Sequence, residues 1–282
     1  MTFQDNAKTA CENMRALFKR TPLHRNDHLS DKFGAEIWLK REDMSPVRSY
    51  KIRGAFNAIS KALAHAPDQR VFVCASAGNH AQGVARVCAH FGVKGVIYMP
   101  VTTPKQKVEK TRIFGGDAIE IVLEGDYFDE TLAASQAYCA QQGAHFLSPF
   151  DDADVIEGQA SVAVEIEAQL GRCADMIVLP VGGGGLSAGV TRYFGTEGPA
   201  YTFAEPAGGA SLALAVESGA PKALENIDSF VDGAAVAKIG AQTFECLKDF
   251  RLDQIYAVPE DRICTTILEM LNIEGIVLEP AG

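Results

Sequence analysis

Met176-Ile-Val-Leu-Pro-Val181, followed by Gly182-Gly-Gly-Gly185 and then Leu186-Ser-Ala-Gly-Val190, is the stretch that decides the fold class. The first run is short and apolar, with the bounds of a buried strand. Ser187 to Phe194 reads as a helix, and four glycines join the two. Lacking Cβ atoms, glycines let the backbone take positive φ and come close to a ligand. Their N–H groups can converge on an anion, helped by the positive end of the helix that follows. A tight turn needs one or two glycines, so four at this place favour an anion site of phosphate type. The stretch is not a P-loop, because no G-K-[ST] ending follows. Nor is it the G-x-G-x-x-G fingerprint of a first strand-to-helix turn.

Moving outward, the same alternation recurs. Val71 to Cys74 reads as a strand and His80 to Phe91 as a helix, with Ala81, Val84, Ala85 and Cys88 on one face. Gly95 to Met99 is a strand. Thr103 is expected as an N-cap, with Pro104 at the first helical position. That helix should stop at Gly115-Gly116. Ala118–Leu123 and His145–Leu147 read as strands, Asp126–Gln142 and Glu157–Leu170 as helices, and Tyr201–Ala204 as extended. Strands alternating with helices imply an α/β fold with parallel sheets covered by helices. The number of such units, at one composition throughout, predicts two intimately joined α/β lobes.

Composition narrows the function classes. The 282 residues are 47% hydrophobic and 22% charged, which is globular. A net charge of −10 argues against nucleic acid, since phosphate backbones call for an excess of Lys and Arg. The first twenty residues lack the apolar core of a signal peptide, and no apolar run could span a bilayer, so a cytoplasmic protein is expected. The seven cysteines are scattered with no C-x-x-C pair, which indicates neither a zinc site nor a disulfide framework; no metal ligand is assigned. Cys74 and Cys88 read as small buried hydrophobes.

Two further segments can carry chemistry. In Ser76-Ala-Gly-Asn-His80 a strand again becomes a helix through small residues. Its N–H groups, the Ser76 hydroxyl and the Asn79 amide could bind a carboxylate or phosphate, or Ser76 and Asn79 could simply cap the helix. His80 is expected to cap or pack, not to act as a base. In Ser49-Tyr-Lys-Ile-Arg-Gly54 a lysine opens a helical pattern. Taken alone, Lys51 reads as a surface charge.

Together, in this order and spacing, the three segments resemble the fold-type II pyridoxal-phosphate (PLP) enzymes, and among them the serine/threonine dehydratase family. Lys40-Arg-Glu-Asp43 is similar to the family's approach to its lysine. Tyr98 to Lys107, Pro149-Phe-Asp-Asp152, Ile156-Glu-Gly-Gln159 and Asp232-Gly-Ala-Ala-Val236 resemble its biosynthetic threonine-dehydratase branch. The resemblance runs from about residue 20 to 282.

The resemblance implies two open, twisted parallel-sheet lobes, each covered by helices. Residues 1–44 plus 151–282 would form a large cofactor-binding domain, and 45–150 an inserted small substrate-binding domain. Lys51 would hold PLP as a Schiff base and act as the catalytic base at Cα. Gly182, Gly183, Gly184, Gly185 and Leu186 would cradle the phosphate, and Asn79 would bond the cofactor's 3′-oxygen. Ser76, Ala77, Gly78 and Asn79 would receive the substrate carboxylate, and Tyr50 would pack near the ring. The implied reaction turns L-threonine into 2-oxobutanoate and ammonia, the first step of isoleucine biosynthesis, with L-serine to pyruvate as a further activity. The family is usually a homo-oligomer, dimer or tetramer, and often uses a monovalent cation.

Family members continue past a segment like Glu279-Pro-Ala-Gly282 into a strand carrying a Ser or Cys that faces the pyridine nitrogen. The sequence ends before it, so no residue is assigned there, and no C-terminal regulatory domain for isoleucine is expected. The alternatives are a serine racemase or serine dehydratase, and a non-catalytic binding protein on the PLP fold. Racemases of the family place a second serine where Ala77 stands, and alanine transfers no proton.

Overall fold

The computed structural model describes residues 1–195 and 197–282. Helix α1 (Phe3–Asn13) leads into a small antiparallel pair, β1 (Leu23–Arg25) with β2 (Trp38–Lys40), which brackets α2 (Asp27–Phe33). Then the alternation begins. Helix α3 (Lys51–His65), β3 (Val71–Ala75), α4 (Asn79–Phe91), β4 (Lys94–Met99), α5 (Lys105–Gly115), β5 (Ile119–Leu123), α6 (Phe128–Gln142) and β6 (His145–Phe146) build the first lobe. Its four strands are parallel in the order β5-β4-β3-β6. The central β3 and β4 are buried along nearly their whole length, which is why they read as continuous apolar runs.

Helix α7 (Ala153–Leu170) leads to β7 (Met176–Pro180), α8 (Gly185–Phe194), β8 (Ala200–Pro206), α9 (Ser211–Ser218), α10 (Ala241–Leu247), β9 (Ile255–Val258) and α11 (Glu260–Glu274). Here three parallel strands run in the order β7-β8-β9. Each sheet has its own core, one around Ile52, Phe56, Phe72, Ile97 and Leu147, the other around Leu179, Phe203, Leu212 and Phe244. The two-lobed α/β reading therefore holds at the level of sheets. Among the described residues no helix is long and apolar enough to cross a membrane.

Helix α7 is the spacer between the lobes. A Cβ on Gly158 would stand 2.6 Å from the Arg53 carbonyl oxygen and 2.8 Å from the Gly54 Cα, so α7 and α3 meet backbone to backbone. On the other side, a Cβ on Gly189 would stand 2.6 Å from the Ile156 carbonyl oxygen, which brings α8 equally close. Only hydrogen at these positions permits such approach. One rigid helix thus fixes the separation of α3 and α8, whose first residues are Lys51 and Gly185.

One expected helix start is corrected. Helix α5 begins at Lys105, with Pro104 as its N-cap at ψ 133, an extended value that keeps proline outside the helix. Thr103 does not cap it, and its buried hydroxyl finds no partner among the described residues.

Candidate active site

Lys51 is the first residue of α3. A tight turn delivers it: the Ser45 hydroxyl donates to the Ser49 carbonyl at 2.8 Å and accepts from the Ser49 N–H at 3.0 Å. Arg48, with φ 65, is the only non-glycine residue at positive φ among those described. The start of α3 is gripped from two sides. Gly83 of α4 lies against the Ile52 backbone, where a Cβ would be 3.1 Å from the nitrogen, and the Gly54 N–H donates to Gln159 Oε1 at 3.2 Å.

Beneath the start of α3 lies an ionic cluster that sequence reading passed over. Arg53 is fully buried and donates to Glu42, Glu165, Thr21 and Ser161. Glu165 of α7, itself fully buried, also accepts from Lys40 and Arg15, each at 2.6 Å. Burial alone would raise the Glu165 carboxyl, but Arg53 and Lys40 more than reverse it and hold it near about 2. Arg53 is raised further by Glu42 and Glu165 despite its burial. The cluster ties the turn after α1, β2, α3 and α7 together two residues from Lys51.

The Lys51 amine donates to the Pro149 carbonyl oxygen at 2.7 Å, and lies 5.4 Å from the Tyr50 ring centroid and 6.0 Å from that of Phe150. Burial lowers its pKa to about 8, against the opposing pull of the Glu279 charge. It is therefore not the surface charge that its local pattern alone would suggest. Tyr50 is pushed up by burial and stays a neutral phenol.

Next to Lys51 is the Ser76–His80 turn. Gly78 supplies no side-chain cap to α4, so the first N–H groups of that helix lack the usual side-chain acceptor. The Gly78 N–H donates to the Ser76 hydroxyl at 3.2 Å, and the Asn79 amide donates to Glu279 Oε1 at 2.6 Å. His80 packs as expected: 3% exposed, it bonds the Leu147 carbonyl through Nε2 at 3.0 Å. Burial, and then the Lys51 charge, press its pKa to about 3, so it is neutral and is not a base in reserve.

The glycine turn faces the same region through Phe150. A Cβ on Gly183 would sit 2.2 Å from the Phe150 ring, one on Gly185 3.1 Å from the Phe150 Cα, and one on Gly182 2.8 Å from the Ala234 Cα. Gly184 has φ 85 and is the N-cap of α8. The Gly183 carbonyl accepts from the Thr243 hydroxyl at 2.8 Å, and that of Gly182 from Ser211 at 3.4 Å. With those carbonyls held and no side chain capping α8, the turn's amides and the helix N-terminus are left for an anion. Leu186 sends its side chain into the core, so only its backbone can serve the turn.

Three consecutive residues connect these parts. Pro149 receives Lys51, Phe150 packs on Gly183, and the Asp151 carboxylate accepts from the N–H groups of Ala241 and Gln242 at the start of α10. The sequence displayed Pro149–Asp152 only as a resemblance, and Glu279 only as part of a terminal segment. An apolar pair and a distant acid carry no local signal of a site. The residues fit PLP: a half-buried amine for its aldehyde, a side-chain-free turn on a helix end for its phosphate, and an amide at the start of α4.

Comparison with known proteins agrees with this fit. Residues 14–282 match the profile of the family described as pyridoxal-phosphate dependent enzyme. The chain is 45% identical over 275 residues to the biosynthetic L-threonine dehydratase IlvA of Bacillus subtilis (strain 168), covering 97% of this chain and 65% of that protein. The structure of the processed form of threonine deaminase isoform 2 from Solanum lycopersicum superposes with a TM-score of 0.90 at 34% identity, covering 99% of this chain and 80% of that one. Maize serine racemase gives a TM-score of 0.90 at 26% identity, covering 98% and 83%. The chain spans between 64% and 66% of the length of three threonine dehydratases that it matches. With a half-buried lysine, an uncapped glycine turn and a family match over nearly its whole length, this chain belongs to the pyridoxal-phosphate-dependent enzymes.

Proposed function

We propose that the protein is an L-threonine dehydratase, converting L-threonine to 2-oxobutanoate and ammonia. The observation that carries the reading is the half-buried Lys51 amine, lowered to about 8, with the Phe150 ring between it and Gly183. The relatives named threonine dehydratase and threonine deaminase support threonine as the substrate.

In this reading Lys51 would hold PLP covalently, and the N–H groups of Gly182 to Leu186 would hold its phosphate. Asn79 would bond its 3′-oxygen, while Ser76 to Asn79 would receive the substrate carboxylate on the uncapped end of α4. Bound PLP supplies an electron sink for the charge left when the Cα proton departs. The Lys51 amine would be the base that takes that proton. A lysine lowered to about 8 is partly neutral at neutral pH, as a base must be. The aromatic rings of Tyr50 and Phe150 flank the amine. Residues 1–44 with 151–282 then act as the cofactor domain and 45–150 as the substrate domain. A cytoplasmic homo-oligomer completes the proposal.

Ala77 is partly buried against the first core and offers no proton, which disfavours racemisation. Serine differs from threonine by one methyl, a difference of only about 1–3 kcal/mol in a pocket, so slower pyruvate formation from L-serine is expected. The test is 2-oxoacid formation by PLP-loaded protein with each amino acid. Faster 2-oxobutanoate than pyruvate supports the reading; no 2-oxobutanoate overturns it.

A further inference from the structure

Gln159 of α7 has no part in the reading above, yet it is buried against the helix that carries Lys51. We propose that Gln159 is a positioning residue for Lys51: by accepting the Gly54 N–H it sets the first turn of α3, and with it the point from which the lysine side chain starts.

Helix α3 takes its acceptor from another element. Its N-cap is Tyr50, which makes no side-chain capping bond, and its first turn holds no acidic residue. The Arg53 N–H closes on the Tyr50 carbonyl at 3.0 Å. The next amide, that of buried Gly54, donates to Gln159 Oε1 at 3.2 Å. An oxygen there faces the positive end of the helix, which strengthens the bond. Removing it would leave a buried N–H without a partner, at the full cost of its desolvation. Arg53 also reaches α7, at Ser161 and Glu165, but through a long side chain. Gln159 grips the α3 backbone itself.

The residues at both ends of this bond are matched. A Cβ on Gly54 would stand 2.9 Å from the Gln159 Cδ and 2.8 Å from the Val155 Cγ1, so only glycine lets the amide lie over the turn. Gly158, next to Gln159, has its backbone against the Arg53 carbonyl, so the glutamine side chain starts from a point already fixed on α3. Lys51 is thereby held twice by one stretch of chain. Its amine donates to the Pro149 carbonyl at 2.7 Å. Asp152 then caps α7, accepting from the Asp154 and Val155 N–H groups at 2.9 Å each, and Gln159 follows on that helix. Residues 149 to 159 thus fix the lysine by its amine and by its backbone. Losing the second hold frees the first turn of α3 relative to the carbonyl. Misplacing a reacting group by about 1 Å can cost a rate of about a hundredfold.

The proposal rests on reading Lys51 as the cofactor lysine, and its test separates the two. PLP is added to the PLP-free protein, samples are trapped with borohydride over time, and the label on Lys51 is followed by peptide mass spectrometry. The melting temperature, and kcat and KM for L-threonine, are read on the same preparations. Gln159→Met keeps the side-chain length and removes the acceptor. Gln159→Glu keeps an acceptor where the helix end favours one. In Gln159→Met, attachment to Lys51 and kcat should both fall by about tenfold or more, with KM within about twofold of the parent, and Gln159→Glu should restore most of both. Parent rates in Gln159→Met, with only the melting temperature lowered, overturn the proposal, as do equal losses in the two variants. If Gln159→Met does not fold, Gln159→Asn, which withdraws the amide by one methylene, is judged by the same two rates. Failure of PLP to attach to Lys51 in the parent protein would instead sink the reading beneath.

Discussion

The Lys51 amine rests 2.7 Å from the carbonyl oxygen of Pro149, a bond that joins the first residue of α3 to the residue just before the Gly183 contact. Desolvation of this half-buried amine lowers it to about 8. Because the folded value lies below the usual 10.5, the unfolded chain holds the proton more tightly. Stability therefore rises as pH climbs from about 8 to about 10.5 and is flat below.

Lys51→Met should accordingly stabilise the cofactor-free protein at pH 7, by on the order of 2 kcal/mol, and the gain should fade toward pH 10.5. Chemical denaturation at both pH values measures it. Equal or lower stability of the variant at pH 7 would mean that the amine is not strained by burial.

Arg53→Met should destabilise the fold by about 3–5 kcal/mol, because Glu165 and Glu42 lose the fully buried guanidinium they share, leaving Glu165 with Lys40 and Arg15. The pH dependence follows from Glu165. Its folded value of about 2 lies below the ordinary 4.5, so its contribution is present above 4.5 and is lost as pH falls toward 2. The variant should lose most of that acid-dependent slope, which denaturation midpoints between pH 5 and 2.5 would reveal.

Gly183→Ala places a methyl 2.2 Å from the Phe150 ring carbon. Overpacking of this kind destabilises by about 1–3 kcal/mol. Since the displaced ring also neighbours Lys51, PLP affinity should fall together with the melting temperature. Unchanged affinity would remove the glycine turn from the cofactor site.

Asp151→Ala uncaps α10 and should lower stability by about 1–2 kcal/mol. Thr243 of that helix holds the Gly183 carbonyl, so PLP retention should weaken while the chemical reactivity of Lys51 stays as it was. Comparing PLP dissociation with Lys51 labelling distinguishes this from a general loss of structure.

Much of the fold was legible because buried parallel strands and their covering helices print two different periods on the sequence. The turn at Gly182–Gly185 was legible for the same reason: only glycine tolerates φ 85 at Gly184 and the ring against Gly183. Helices α1, α2, α9, α10 and α11 and strands β1, β2 and β9 were not read. Proline at 104 was expected inside α5, but its ψ of 133 sets it just outside, a choice made by the preceding loop. Arg53 and Glu165 are 112 residues apart, and their pairing follows from α3 packing on α7, which no local pattern encodes. Glu279 is in the same position with respect to Asn79, 200 residues away. Polar contacts across elements set the fine geometry of this site, and they become visible only when the elements are docked.

The most direct measurement is where PLP attaches. The protein is incubated with PLP, reduced with borohydride, digested and mapped by mass spectrometry. The account predicts a pyridoxyl group on Lys51 and its disappearance in Lys51→Ala, with that variant folded and without 2-oxobutanoate formation. Attachment to a different lysine, or an unlabelled Lys51 in protein that still deaminates threonine, would contradict it.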